Sequence, residues 1–154
     1  KPVEMGFRSN RLDLAYPESS PPFKSYEKAW LECFQEVFKQ MGNGDAAAAA
    51  RSSVSDLGRR KLFPETVSVI ARLKGSRRFR LAVMSNSDND SLRPLLRRHG
   101  LEFDAVVCSE AAQVYKPHPQ AFRVIMEALG VEPNICLYVG DSQYTMYREL
   151  TTWG

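Results

Sequence analysis

The sequence predicts an α/β fold, a parallel sheet flanked by helices, and three observations carry that reading. From residue 63 onward, short apolar runs alternate with amphipathic helical patterns, the order that builds parallel strands joined by right-handed crossovers. The runs within "FRLAVMSNSD", "FDAVVCS" and "NICLYVGDS" are apolar almost throughout rather than alternating, as strands buried on both faces are. A hydroxyl (Ser85), an ammonium (Lys116) and a carboxylate (Asp141) lie at or beyond the ends of such runs, where open α/β sheets place their ligands.

The elements follow in order. Residues 1–24 hold Pro2, Pro17, Pro21 and Pro22, which predicts loop with a short helical piece near residues 5–12. Tyr26, Trp30, Cys33, Phe34, Val37, Phe38 and Met41 then recur every three or four residues. They draw one apolar stripe along a helix that Ser25 can cap at its start and Gly42 at its end. Asp45 can cap a short alanine-rich helix to about Arg51, and a further helix runs from Pro64 through Val67, Ile70, Ala71 and Leu73 to Gly75. A strand is expected over 79–84, then a helix capped by Asp90 or Ser91, carrying Leu92, Leu95 and Leu96 and closed by Gly100. A second strand covers 105–108, and a helix with Phe122, Ile125, Met126 and Leu129 ends at Gly130. A third strand is expected over 135–139.

With 154 residues, 44% hydrophobic and 25% charged, the chain is long enough for one substantial core and only marginally so for a core plus a small accessory lobe. Its 21 basic and 18 acidic residues are spread along the chain, apart from small knots such as Arg77 to Arg80. These knots do not form a recognised nucleic-acid module with interleaved aromatic residues, so no nucleic-acid partner is expected. Cys33, Cys108 and Cys136 are far apart in apolar runs, the pattern of buried thiols in a reducing cytoplasm rather than of a disulfide frame. No run approaches the length of a membrane span.

Ser85 and Asn86 sit where strand turns toward helix, so a hydroxyl and successive backbone amides can converge on an anion there; the same residues also serve as ordinary turn and capping groups. Lys116 lies in "YKPHP", where Pro117 and Pro119 stiffen the backbone around its ammonium. Asp141 after Gly140 offers a hard oxygen ligand for magnesium, or a helix cap.

The order of "LAVMSNSD", "KPHPQAF" and "YVGDS" resembles the second, third and fourth motifs of the haloacid dehalogenase superfamily of hydrolases. The resemblance implies a Rossmann-like parallel sheet, with a partial helical cap over residues 1–62 and an α/β core over 63–154. It also implies phosphate monoester hydrolysis through an aspartyl intermediate, which splits one hard displacement into two. Matched by motif, Ser85 and the amide of Asn86 would hold the transferring phosphoryl oxygens, Lys116 would neutralise charge shared with the nucleophile, and Asp141 would help hold magnesium. Some members cleave carbon–halogen bonds without a metal.

The family's first motif, an apolar strand running straight into Asp-x-Asp, has no match. Asp13, Asp45 and Asp56 do not follow apolar strands, and the pair Asp88 and Asp90 stands three residues past a strand end. After Ser142, where relatives place another acid, "QYTMYRELTTWG" departs from the fourth motif. In the family the first-motif strand lies between those ending at Ser85 and Asp141. Its absence would leave unpaired backbone groups at roughly 1–3 kcal/mol each, and would favour aggregation, self-association or a strand-complementing partner. The sequence therefore reads as a truncated hydrolase derived from a magnesium-dependent phosphatase and inactive by itself, with a small phosphorylated metabolite as substrate of the active form. The alternatives are a non-catalytic phosphate-binding or regulatory protein, and a flavodoxin-like or receiver-like domain, though the paired acids of a receiver domain would come first in the chain.

Overall fold

The computed structural model describes residues 22–140. In chain order they form α1 (Tyr26–Met41), α2 (Ala46–Leu57), α3 (Thr66–Gly75), β1 (Ala82–Ser85), α4 (Asn89–Arg98), β2 (Ala105–Cys108), α5 (Ser109–Ala112) and α6 (Pro119–Leu129). A 3-10 turn over Pro133–Ile135 follows. The α/β class is as expected. β1 and β2 pair in parallel, Ala82 beside Ala105 and Ser85 beside Cys108, with α4 in the crossover that a parallel pair requires.

Most helix boundaries follow from the chemistry of their ends. The Ser25 side chain accepts from the Lys28 amide, and Gly42 closes α1 at φ 76°, a conformation that glycine adopts without steric cost. The Asp45 carboxylate accepts from the Ala48 amide at 2.9 Å, but α2 continues past the expected end at Arg51 to Leu57. It continues because residues 52–57 carry no breaker before Gly58 and α2 packs along α1. α4 starts at Asn89, ahead of the expected cap, and the Ser91 hydroxyl donates back to the Asp88 carbonyl at 3.0 Å.

Two strand expectations need correction. β1 is four residues long rather than six, because only Ala82–Ser85 face a partner, and all four stay half-buried. Residues 135–139 form no strand: Pro133–Ile135 turn as a 3-10 helix, and 136–140 have no ladder partner among the described residues. Ile135, Leu137 and Val139 are 72%, 83% and 80% exposed, so the apolar pattern is present without the neighbours that would bury it. The thiols are also not all buried, since Cys33 and Cys136 are exposed. The expectations for residues 1–21 and for 141 onward lie outside the described residues.

The core gathers where α6 crosses the sheet. Ala105, Val107, Ala112 and Ile125 are buried, with Ala82, Met84, Val124, Met126 and Leu129 packed against them. At the amino end of the strands, the Leu81 amide donates to the Asp104 carboxylate at 2.6 Å and the Asp104 amide to the Leu81 carbonyl at 2.8 Å. The Arg80 guanidinium donates to the Leu129 and Gly130 carbonyls, satisfying the last turn of α6. The opposite end, where the chain leaves both strands, holds the candidate site.

Candidate functional site

Ser85 closes β1 level with Cys108, so its hydroxyl stands at the carboxyl end of the sheet. The chain then turns through Asn86, Ser87 and Asp88 into α4. Lys116 arrives from β2 by way of α5 and lies just ahead of α6, with a cis bond to Pro117.

Asn86 joins these two loops. Its side-chain oxygen accepts from the Lys116 amide at 2.7 Å and its side-chain nitrogen donates to the Lys116 carbonyl at 3.0 Å. The pair of bonds mimics one rung of a ladder and holds the Lys116 backbone beside the residue that follows Ser85. Because the carboxamide is spent on this contact, only the backbone amide of Asn86 is left to meet an anion. The Lys116 ammonium donates to the Tyr138 hydroxyl at 3.0 Å and lies 5.3 Å from the centre of that ring. Tyr138 is placed in turn by an edge contact with Phe122 of α6. Sequence reasoning missed Tyr138, since it was counted only as an apolar strand position.

A second set of bonds stitches the loop after β1 to the start of α5. The Ser109 hydroxyl, fully buried, donates to the Ser87 carbonyl at 2.9 Å. The Glu110 carboxylate accepts from both the backbone and side-chain nitrogens of Asn89, at 2.7 and 3.0 Å. The Asp88 side chain turns away from α4 toward α1, where one carboxylate oxygen accepts from the Tyr26 amide at 2.7 Å. Burial pushes Asp88 above the usual aspartate range, with Glu110 and Asp90 adding repulsion, while amide bonds from Tyr26 and Glu27 work the other way. Burial also raises Tyr26 and Tyr115, each with the Asp88 charge adding to the shift. Tyr115, next to Lys116, sits among Phe23 and Tyr26 and donates to the Lys24 carbonyl.

The structure thus brings Ser85, Asn86 and Lys116 to one end of the sheet, while Asp141 lies outside the described residues. Among the described residues no group of three or more His, Cys, Asp or Glu side chains gathers to hold a metal ion. No helix among them is long and apolar enough to cross a membrane. At that strand end the Lys116 backbone is clasped beside the residue after Ser85, and its ammonium rests on Tyr138.

A family model described as haloacid dehalogenase-like hydrolase matches residues 8–145. The chain is similar to haloacid dehalogenase-like hydrolase domain-containing protein 3 of Bos taurus, 34% identical over 162 residues, covering 95% of this chain and 64% of that protein. It is 26% identical over 138 residues to haloacetate dehalogenase H-2 of Moraxella sp. (strain B), covering 79% of this chain and 61% of the relative. The chain therefore spans less than two thirds of the length of either. Among solved structures, an L-2-haloacid dehalogenase superposes with a TM-score of 0.61 at 23% identity, over 73% of this chain and 49% of the other, a likeness of fold.

Proposed function

This chain belongs to the haloacid dehalogenase-like hydrolases, and on that premise we propose that residues 1–154 form the anion-holding half of a site for phosphate monoester hydrolysis. In this reading they bind the anion without turning it over by themselves. The observation that supports it is the Asn86 clasp on Lys116, which sets the lysine's backbone beside the residue that follows Ser85. Ser85 and the Asn86 amide would hold the phosphoryl oxygens and Lys116 would neutralise their charge. No apolar strand of the sequence runs into an Asp-x-Asp pair, so the attacking carboxylate is not assigned to any of these residues. Magnesium enters the proposal through Asp141 alone, which would contribute one carboxylate ligand to an ion that offsets phosphate charge.

The test is isothermal titration of the purified chain with inorganic phosphate, run beside turnover of p-nitrophenyl phosphate with magnesium. Saturable binding that Lys116→Met weakens, with no turnover, is the expected result. Magnesium-dependent turnover abolished by Asp141→Asn would overturn the inactive reading, and absence of binding to folded protein would overturn the anion site. A second reading, removal of halide from a small haloacid, is favoured by the dehalogenase names of several relatives. Halide release from 2-chloropropionate without added metal would support it over the first.

A further inference from the structure

The first turn of α1 has four amides without partners inside the helix, as every helix does. The Ser25 hydroxyl takes the Lys28 amide at 3.3 Å. The Tyr26 amide donates at 2.7 Å to Asp88, a residue 62 positions away in the loop that leaves β1, and the Glu27 amide faces the same carboxylate. A side chain from the end of the sheet therefore caps a helix that precedes the sheet by some forty residues. Tyr115 holds the same place from the other loop: its hydroxyl donates to the Lys24 carbonyl, and its ring packs on Phe23 and Tyr26. The two loops that carry Asn86 and Lys116 thus both grip the start of α1.

Asp88 is only 6% exposed, and one of its carboxylate oxygens, Oδ1, is buried with no hydrogen-bond partner. A buried carboxylate with one oxygen satisfied and the other not is a costly arrangement when ionised. The charged side chains acting on it, Glu110 of α5 and Asp90 of α4, are both acidic. On the side of α1 it meets backbone amides and the Tyr26 phenol, and Tyr115 faces it from the loop before α6. Neutral, the carboxyl keeps an acceptor for the Tyr26 amide without a buried charge. Ionised, it gains by lifting α1 and letting water reach Oδ1.

We propose that Asp88 is a positioning residue that fixes the start of α1 over the loop following Ser85, and that its hold loosens when the carboxyl ionises. The sign follows from linkage: a carboxyl that binds its proton more tightly in the closed arrangement favours closure as pH falls. This inference does not rest on phosphate being the ligand.

The experiment is amide hydrogen exchange of the whole chain from pH 4 to 7.5, read as protection factors at Tyr26 and Glu27. Protection should fall as pH rises above the ordinary aspartate value near 3.8, by about tenfold for each unit that the closed state lifts the pKa. Asp88→Asn should keep protection but lose the pH step, and Asp88→Ala should also lose the step, with protection lowered about fivefold at pH 4 and independent of pH above it. A protection factor independent of pH in the unaltered chain, or a step that persists in Asp88→Asn, would overturn the proposal. Should Asp88→Ala fail to fold, the Asn variant, with its shape kept, decides the matter. A merely structural side chain would produce no pH step.

Discussion

Asn86 grips Lys116 by its backbone and leaves the ammonium to Tyr138, so the position of this lysine is set from two sides by residues 30 and 22 positions away. The main chain is fixed at the end of β1 and the charge is fixed against the Tyr138 ring, which packs on Phe122 of α6. A flexible four-carbon side chain becomes a located charge only when both ends are held.

Removing the clasp tests this. Asn86→Ala strands a part-buried donor and a part-buried acceptor on Lys116, and each unsatisfied group costs about 1–3 kcal/mol. The variant should unfold several degrees lower, measured by thermal denaturation, and lose phosphate affinity with it.

The ammonium itself is tested by Lys116→Met, which keeps the length of the side chain. A hydrogen bond to a charged group contributes about 1.5–3 kcal/mol, so phosphate affinity should drop at least about tenfold by calorimetry. Tyr138→Phe keeps the ring and removes only the hydroxyl, and affinity should stay within about threefold. A Tyr138→Phe loss equal to that of Lys116→Met would make the hydroxyl part of the anion site.

Two tyrosines should titrate late. Tyr26 and Tyr115 are both raised above the ordinary value of 10.0 by burial and then by Asp88. A raised phenol holds its proton longer folded than unfolded, so its contribution to stability is complete below pH 10 and is lost as pH rises through the folded value. Ultraviolet titration should show part of the six-tyrosine signal delayed in the folded chain, and less delay in Tyr115→Phe. Urea midpoints should fall above pH 10 and fall less in the same variant.

Exposure separates two sets of apolar residues that look alike in sequence. Ile125 is 8% exposed, and Ile125→Ala should cost about 2–5 kcal/mol in urea unfolding. Leu137 is 83% exposed, and Leu137→Ser in the same chain should shift stability by less than about 0.5 kcal/mol. A large loss at Leu137 would show that 136–140 is covered in solution.

Local chemistry made most of the helices legible. Ser25, Asp45, Gly42 and Gly130 punctuate the helices where their side chains and backbones predict. The strand at 105–108 was legible because its apolar run has a strand to pair with and three of its four residues are buried. The stretch 135–139 was not, because apolar spacing records what a segment requires and not whether a partner is there to pair with it. The order of Ser85, Asn86 and Lys116 pointed to one loop cluster, but the use of the Asn86 carboxamide as a clasp was invisible, since an asparagine at a strand end reads as a turn residue. Asp88 read as a turn residue or half of an acidic pair, and nothing in its neighbours announces a helix sixty positions upstream.

The bonds at the amino end of the strands carry a mechanical consequence. Asp104 locks the starts of β1 and β2 together, and Arg80 ties the same end to the finish of α6. The two strands are thus tied at their starts as well as laddered to their ends at Ser85 and Cys108. The Lys116 loop, by contrast, is joined to the sheet end and to residue 138 through side chains, at Asn86 and at Tyr138, so single substitutions can undo those joints where none can undo a backbone ladder.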